Sequence, residues 1–324
     1  MFLMNGGQMV AALSFSGLMD AVGEAMKAAD RDGGALTFPL RTAVARGENS
    51  LLMMPCLSDD TWGLKVLTVF PGNPGGPLPF LNGLVMLFNG QTGEPAALFD
   101  GRMLTALRTG AVGGAGVRAL AKGDAGNLGI AGAGAQGYWQ ARFACEGRSF
   151  SEIRVFDVNR EAAERLAERL RKDLPGIRAE SCGSPAELAM ASDVIITATR
   201  TERPVFPDER RLFAGGKCFV GIGSYTPDMR EFPDALFLEA RRVYADTAHA
   251  LSETGDLITP VARGLIGEEE IRPLSEVLDV GIDAAGNEGT VFFKSVGLSV
   301  FDLFAAKTFL KWGKEKGIGV EFDL

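Results

Sequence analysis

The chain of 324 residues has a single histidine, His249, and no G-x-S-x-G run. A Ser-His-Asp or Cys-His mechanism would have to pass through that one imidazole, so acid and base work falls to lysine, tyrosine or carboxylates. His249 itself, in DTAHALSETGD, reads as a surface or capping residue. Cysteine is equally sparse. Cys56, Cys145, Cys182 and Cys218 are scattered, with no C-x-x-C pair and no close histidine, so neither a zinc site nor a disulfide framework is indicated and a reducing compartment is expected. No basic residue precedes Lys27, so a signal-peptide n-region is missing, and no apolar run approaches the roughly 20 residues of a membrane span. A cytoplasmic protein is expected. A formal charge of −8 argues against nucleic acid as a partner while leaving room for a local basic pocket that holds a small anion.

What is present is ordinary for a globular enzyme: 46% hydrophobic and 23% charged residues, with 42 glycines that follow no G-X-Y period and therefore serve turns and close packing. The length predicts two domains. In SGLMDAVGEAMKAADRDGG, Leu18, Val22 and Met26 recur every four residues before Gly33 and Gly34, which predicts a helix. LLMMP, LKVLTVF and LVMLF predict strands, separated by the turn-rich PGNPGGPLP and NGQTGEP. Residues 103–121 predict a helix whose small residues admit a close neighbouring backbone. From Asn127 strand and helix alternate, which predicts a parallel sheet with crossover helices. NLGIAG, EIRVFDV, DVIITATR, GKCFVGIGS and RRVYADT are the strands. EAAERLAERLRKDL carries Leu166, Leu170 and Leu174 on one helical face, and SPAELAMA opens with Ser184, Pro185 and Glu187 as a capping box. The last segment, TVFFKSVGLSVFDLFAAKTFLKWGKEKG, predicts a helix up to Gly313 that returns to the N-terminal half. The expected fold is α/β, with a Rossmann domain over 123–297 and a discontinuous α+β domain from 1–122 and 298–324.

Gly132, Gly134 and Gly137 form G-x-G-x-x-G between a predicted strand and a predicted helix. The first glycine permits the turn, the second lets a pyrophosphate approach the backbone, and the third lets helix and strand pack. The helix start then offers free N–H groups and partial positive charge to phosphates. Asp157 ends the next strand, where a carboxylate accepts the ribose hydroxyls and repels a 2′-phosphate. NAD is therefore favoured, with NADP as the alternative because Arg160 stands nearby. Candidate substrate cations are Arg41, Lys65 and Arg108. Read alone they allow two accounts, ordinary solvated or ion-paired side chains and a carboxylate grip.

GLKVLTVFPGNP, TGEPAALFDGRMLTALRTGA, LGIAGAGAQG, FVGIGSYTPDMREF, ETGDLITP and FFKSVGLSVFDL follow one another in an order that resembles the ornithine cyclodeaminase and μ-crystallin family over nearly the whole chain. The resemblance implies a homodimer in which the discontinuous domain binds substrate and dimerises. Members include cyclodeaminases, an archaeal type of alanine dehydrogenase, and reductases of imines such as pyrroline-2-carboxylate. By resemblance Arg41 and Arg108 grip the substrate carboxylate, and Lys65 stands beside the reacting amine or imine as the catalytic group. Val296 borders the substrate, and Thr109, Ala135, Gln136, Thr197 and Ser295 join the glycine turn and Asp157 in holding the cofactor. A guanidinium matches a carboxylate fork, and a partly desolvated lysine exchanges a proton near neutral pH.

Two departures bear on the activity. Aligned on Glu231, Tyr225 stands where cyclodeaminases carry an aspartate that serves ring formation, and Asp228 lies three residues further on in a turn where a solvated or capping role is expected. Phe80 replaces a threonine common near the cofactor. The expectation is NAD(P)-dependent reduction of a small α-imino acid, by an imine reductase or amino acid dehydrogenase. The alternatives are a lyase that converts ornithine to proline and ammonia, and a nucleotide-binding protein of crystallin type without turnover. No metal is expected.

Overall fold

The computed structural model describes residues 1–31, 34–73, 78–281 and 289–323. Gly33 and residues 74–77 of the proline-rich turn lie outside them. The chain forms two compact units, Met1–Arg108 with Leu298–Leu324, and Thr109–Gly297. Residues 109–122, expected with the first domain, group with the second. The reason lies in the helix Gly101–Leu120, which runs through the break. A Cβ on Gly113 would stand 1.8 Å from Gln140 Oε1, and one on Gly110 would stand 2.6 Å from Phe143 Cδ2, so its later half is seated on the helix Ala135–Gly147. The small residues there admit side chains as much as a neighbouring backbone.

In the first unit an eight-stranded sheet, counted among the described residues, runs in the order Val320–Glu321, Phe2–Met4, Pro95–Asp100, Leu81–Asn89, Thr61–Val69, Asn49–Ser58 and Leu36–Thr37, with Thr42–Arg46 also paired to Asn49–Ser58. All pairs are antiparallel except Phe2–Met4 with Pro95–Asp100. Register sets the chemistry. Lys65 lies opposite Met54 and Val85, and Leu67, Leu87 and Cys56 share its buried face. Trp62, Leu64, Val66, Leu84, Met86 and Phe88 alternate onto the other face and stay half-buried or exposed. A one-residue slip would exchange the two sets, so burial of one face fixes the register. The helix Ser299–Lys316 covers the buried face, with Phe15–Asp30 packed against it. Ser14 caps the latter, its hydroxyl accepting from Gly17 N at 3.3 Å.

The second unit holds eight parallel strands, again among the described residues, in the order Arg178–Ser181, Glu152–Phe156, Asn127–Ala131, Val194–Thr197, Cys218–Gly221, Thr290–Lys294, Ala240–Ala245 and Ile271–Pro273. VIIT, CFVG and TVFFK are buried throughout, as strands covered on both faces must be. TVFFK corrects an expectation: it is a strand rather than the start of the last helix, which begins at Ser299 and runs past Gly313 to Lys316, where Gly317 at φ +63° ends it. A continuous apolar run carries no period that separates strand from buried helix. The capping box at Ser184 is half formed. Ser184 Oγ accepts from Glu187 N at 3.1 Å, but the Glu187 carboxylate accepts from Gly183 N at 2.8 Å. Phe206, Phe213, Phe219, Phe232, Phe237 and Phe292 fill the core, mostly edge to face at 4.9–6.4 Å, contacts worth about 0.5–1.5 kcal/mol each beyond burial. All four cysteines are free. Among the described residues no single helix is long and apolar enough to cross a membrane.

Candidate active site

In the first unit Lys65 projects from the strand Thr61–Val69 toward the helix Ser299–Lys316 and meets Asp302, Nζ to Oδ2, at 2.5 Å. Arg108, from Gly101–Leu120, donates through Nε to Asp302 Oδ1 at 3.0 Å. The three side chains are at most 5% exposed as residues. Burial draws the Lys65 ammonium down to about 8, with Arg108 and Arg41 acting in the same direction and Asp302 against them. Arg41, half-exposed just before the strand Thr42–Arg46, is thus near enough for its charge to be felt. The structure therefore brings together Arg41, Lys65 and Arg108, and adds Asp302, which the sequence reading missed. Its one sequence signal is a lone carboxylate in the apolar run SVFDLFAA.

The arrangement has chemical consequences. Two buried cations share one carboxylate, so the group carries an excess positive charge. Among the described residues Lys65 and Arg108 hold no partner beyond Asp302, which leaves the Nη pair of Arg108 and two of the three ammonium hydrogens uncommitted. Uncommitted donors in a dry place suit a small anion.

In the second unit strand order reverses at Asn127–Ala131, which has Glu152–Phe156 on one side and Val194–Thr197 on the other. Ligands of parallel sheets bind beyond the carboxyl ends of the strands at such a switch point. Gly132 follows that strand at φ +105°, donating to Phe156 O at 2.8 Å, and a Cβ there would come within 2.6 Å of Ala198 O. A Cβ on Gly137 would lie 2.0 Å from Gly132 O. Gly134 differs, because a Cβ on it meets nothing within 4 Å. Gly134 is the N-cap of Ala135–Gly147, with no side-chain cap and no acidic residue in the first turn. The turn thus keeps bare backbone and unspent N–H groups beside open space, which fits a dinucleotide pyrophosphate.

The other expected cofactor residues sit at the same edge of the sheet or beside it. Asp157 follows Glu152–Phe156 and accepts from Ala133 N at 2.7 Å and from Asn159 N at 2.8 Å, which ties it to the glycine turn while lone pairs remain. Arg160, itself exposed, pairs with the exposed Glu164 at 2.9 Å. Gln136 Oε1 and Thr197 Oγ1 are buried without a hydrogen-bond partner. Thr109 gives its carbonyl to Gln140 Nε2 at 2.9 Å. Ser295 and Val296 follow Thr290–Lys294 and are fastened by Asp246, whose Oδ2 accepts from Ser295 Oγ (2.7 Å), Val296 N (3.0 Å) and Gly297 N (3.1 Å).

Asp246 was also missed, as was a second buried cluster. Glu231 accepts from Thr199 N and Oγ1, Gly223 N and Ser224 N at 2.7–3.2 Å, and Asp256 accepts from Glu231 N, Phe232 N and Ser224 Oγ at 2.8–3.0 Å. Lys294 Nζ lies 3.3 Å from Asp256 and 3.8 Å from Glu231. Burial raises the Glu231 carboxyl, and Lys294 opposes it. Asp228 is exposed, its carboxyl lowered by a hydrogen bond from Thr226, in keeping with a local turn role. His249 is exposed at the start of Ala250–Glu253.

Known proteins resemble this chain over most of its length. A Delta(1)-pyrroline-2-carboxylate reductase from Bacillus cereus is 34% identical over 296 residues, covering 88% of this chain and 89% of the relative. The structure of the Thermococcus litoralis enzyme of that name, in complex with NADH and L-proline, superposes with a TM-score of 0.88 at 29% identity, covering 99% of this chain and all of that one. An archaeal alanine dehydrogenase dimer with bound NAD has a TM-score of 0.85 at 25% identity and covers 100% of this chain and 99% of that one. The model of the ornithine cyclodeaminase/mu-crystallin family matches residues 7–315, and the chain belongs to that family.

Proposed function

We propose that this protein is an NAD-dependent reductase of a small cyclic or linear α-imino acid of the pyrroline-2-carboxylate class. The observation that carries the reading is the buried Lys65–Asp302–Arg108 group, with its excess positive charge and uncommitted donors. The Nη pair of Arg108, with Arg41 beside it, binds the substrate carboxylate as a fork and fixes the orientation of the C=N bond. Lys65 donates to the imine nitrogen and gives up the proton that converts imine to amine. An ammonium drawn down to about 8 exchanges that proton near neutral pH and is recharged from water. Gly132, Gly134, Ala135, Gln136, Asp157, Thr197, Ser295 and Thr109 would hold NAD, which in its reduced form would supply the hydride. Asp157, which keeps lone pairs beside the glycine turn, suits a free ribose 2′-hydroxyl and repels a 2′-phosphate, which favours NAD over NADP. Tyr225 in place of a carboxylate favours reduction over the ring-forming lyase reaction.

The active form in this reading is a cytoplasmic homodimer. The uncovered sheet face of the first unit, with Trp62 43% and Leu84 47% exposed, suits a second copy.

The test is loss of NADH absorbance with pyrroline-2-carboxylate, and with pyruvate plus ammonia. Turnover is expected, and Lys65→Ala should lower kcat/KM about 10²–10⁴-fold with NADH binding intact. An enzyme that binds NADH and reduces neither substrate overturns the reading.

A further inference from the structure

Asp302 carries no role in the chemistry above, yet among the described residues it is the one carboxylate that touches both cations. We propose that Asp302 is a positioning residue, holding Lys65 by one oxygen and Arg108 by the other so that both present their remaining donors to the substrate. The inference rests on the reductase reading for its functional meaning and on the geometry of the first unit for its substance.

Three observations carry it. The first is the division of labour within the carboxylate, Oδ2 at 2.5 Å from Lys65 Nζ and Oδ1 at 3.0 Å from Arg108 Nε. A guanidinium tied by Nε can turn only about that bond, and it keeps the terminal Nη pair, the edge that matches a carboxylate fork. The second is charge. Two cations and one anion sum to +1, so a monoanionic imino acid brings a buried site to neutrality, whereas without Asp302 the site would hold +2 and strand two desolvated cations. The third is the set of groups that face Lys65. Arg108 and Arg41 both oppose its charge. Cys56, on the same sheet face, is a neutral thiol pushed up to about 12 by burial, and Lys307 is spent on Asp60 at 2.7 Å. Asp302 is the anion that sustains the ammonium.

The experiment is a pH titration of the Lys65 side chain by NMR in protein carrying lysine labelled with ¹³C at Cε, without substrate or cofactor. The resonance is identified by its loss in Lys65→Met. Asp302→Asn should lower the Lys65 midpoint by about one pH unit or more. In turnover the alkaline limb of kcat/KM should move to lower pH, and KM for the imino acid should rise about tenfold as Arg108 loses its tether. Asp302→Glu should keep the midpoint near that of the wild type while KM still rises. A Lys65 midpoint unmoved by Asp302→Asn overturns the inference even if the wild type is an active reductase. A wild type without turnover overturns the reductase reading instead. If Asp302→Asn does not fold, Asp302→Glu decides: a midpoint that falls although the charge is retained overturns the proposal.

Discussion

Each unit buries a lysine, one against a single carboxylate and the other between two, and the two clusters are built to opposite ends. In the second unit Lys294 stands between Glu231 and Asp256, whose oxygens are filled by seven hydrogen bonds from Thr199, Gly223, Ser224, Glu231 N and Phe232 N. Those donors come from loops far apart in sequence, so the cluster works as a knot. In the first unit Asp302 is shared by two cations, and most of their donors are uncommitted. The difference shows how to read buried charge. Carboxylates filled by backbone and hydroxyl donors, as Glu231 and Asp256 are, organise that backbone even though Lys294 Nζ itself makes no hydrogen bond, while a carboxylate shared by two cations leaves their other donors for something that arrives later.

The comparison breaks most directly at Asp256. Asp256→Ala removes the acceptor for Glu231 N and Phe232 N and the nearer carboxylate of Lys294, leaving that buried ammonium the more distant Glu231 and the charge of Asp246. The expected loss is about 3–5 kcal/mol of unfolding free energy by urea denaturation. A loss under 1 kcal/mol would mean that the knot organises nothing.

A smaller effect separates the clusters by pH. Burial holds Lys65 near 8 in the folded state, against 10.5 when solvated. Below the folded value both states carry the proton. As pH rises from 8 toward 10.5 the folded state releases its proton while the unfolded state keeps it, so stability increases with pH across that window and is lost again on acidification through 8. The upper limit for a shift of that size is about 3 kcal/mol at full burial. The measurement is wild-type stability minus that of Lys65→Met over the same window, which cancels the other titrating groups. A flat difference would show that the site is wetter than its burial implies.

What the sequence alone conveyed follows the same division. The glycine turn was legible because each glycine has a local cause: a left-handed φ at Gly132, a helix against a strand at Gly137, open space at Gly134. The strands around Lys65 were legible as short apolar runs between glycine- and proline-rich turns, whereas Phe2–Met4 is only three residues long and Thr42–Arg46 is exposed throughout. TVFFK was misread because a strand buried on both faces has no alternation to show. Asp302 and Asp246 were illegible for another reason. Asp302 bonds Arg108 across 194 positions and Asp246 bonds Ser295 across 49, and no local spacing reports such a pairing. Knowledge of Ser295 and Val296 as site residues came by family resemblance alone, and the carboxylate that fastens them emerged with the fold.

The smallest effect expected sharpens the contrast between building a site and filling it, within a single loop. Gly137→Ala places a methyl 2.0 Å from Gly132 O, backbone that cannot step aside, so the turn must open and stability should fall by about 1–3 kcal/mol. Gly134→Val meets no protein atom within 4 Å of its Cβ, and an extended φ of −80° accepts a β-branched residue. Its thermal unfolding should match that of the wild type within about 0.5 kcal/mol. The added bulk instead occupies the space where a pyrophosphate would lie on the helix N-terminus, and NADH affinity followed by fluorescence should weaken about tenfold or more. Were Gly134→Val to bind NADH as tightly as the wild type, the open side of the turn would not be the nucleotide's, and the fit of NAD to this loop would fail while the fold stood.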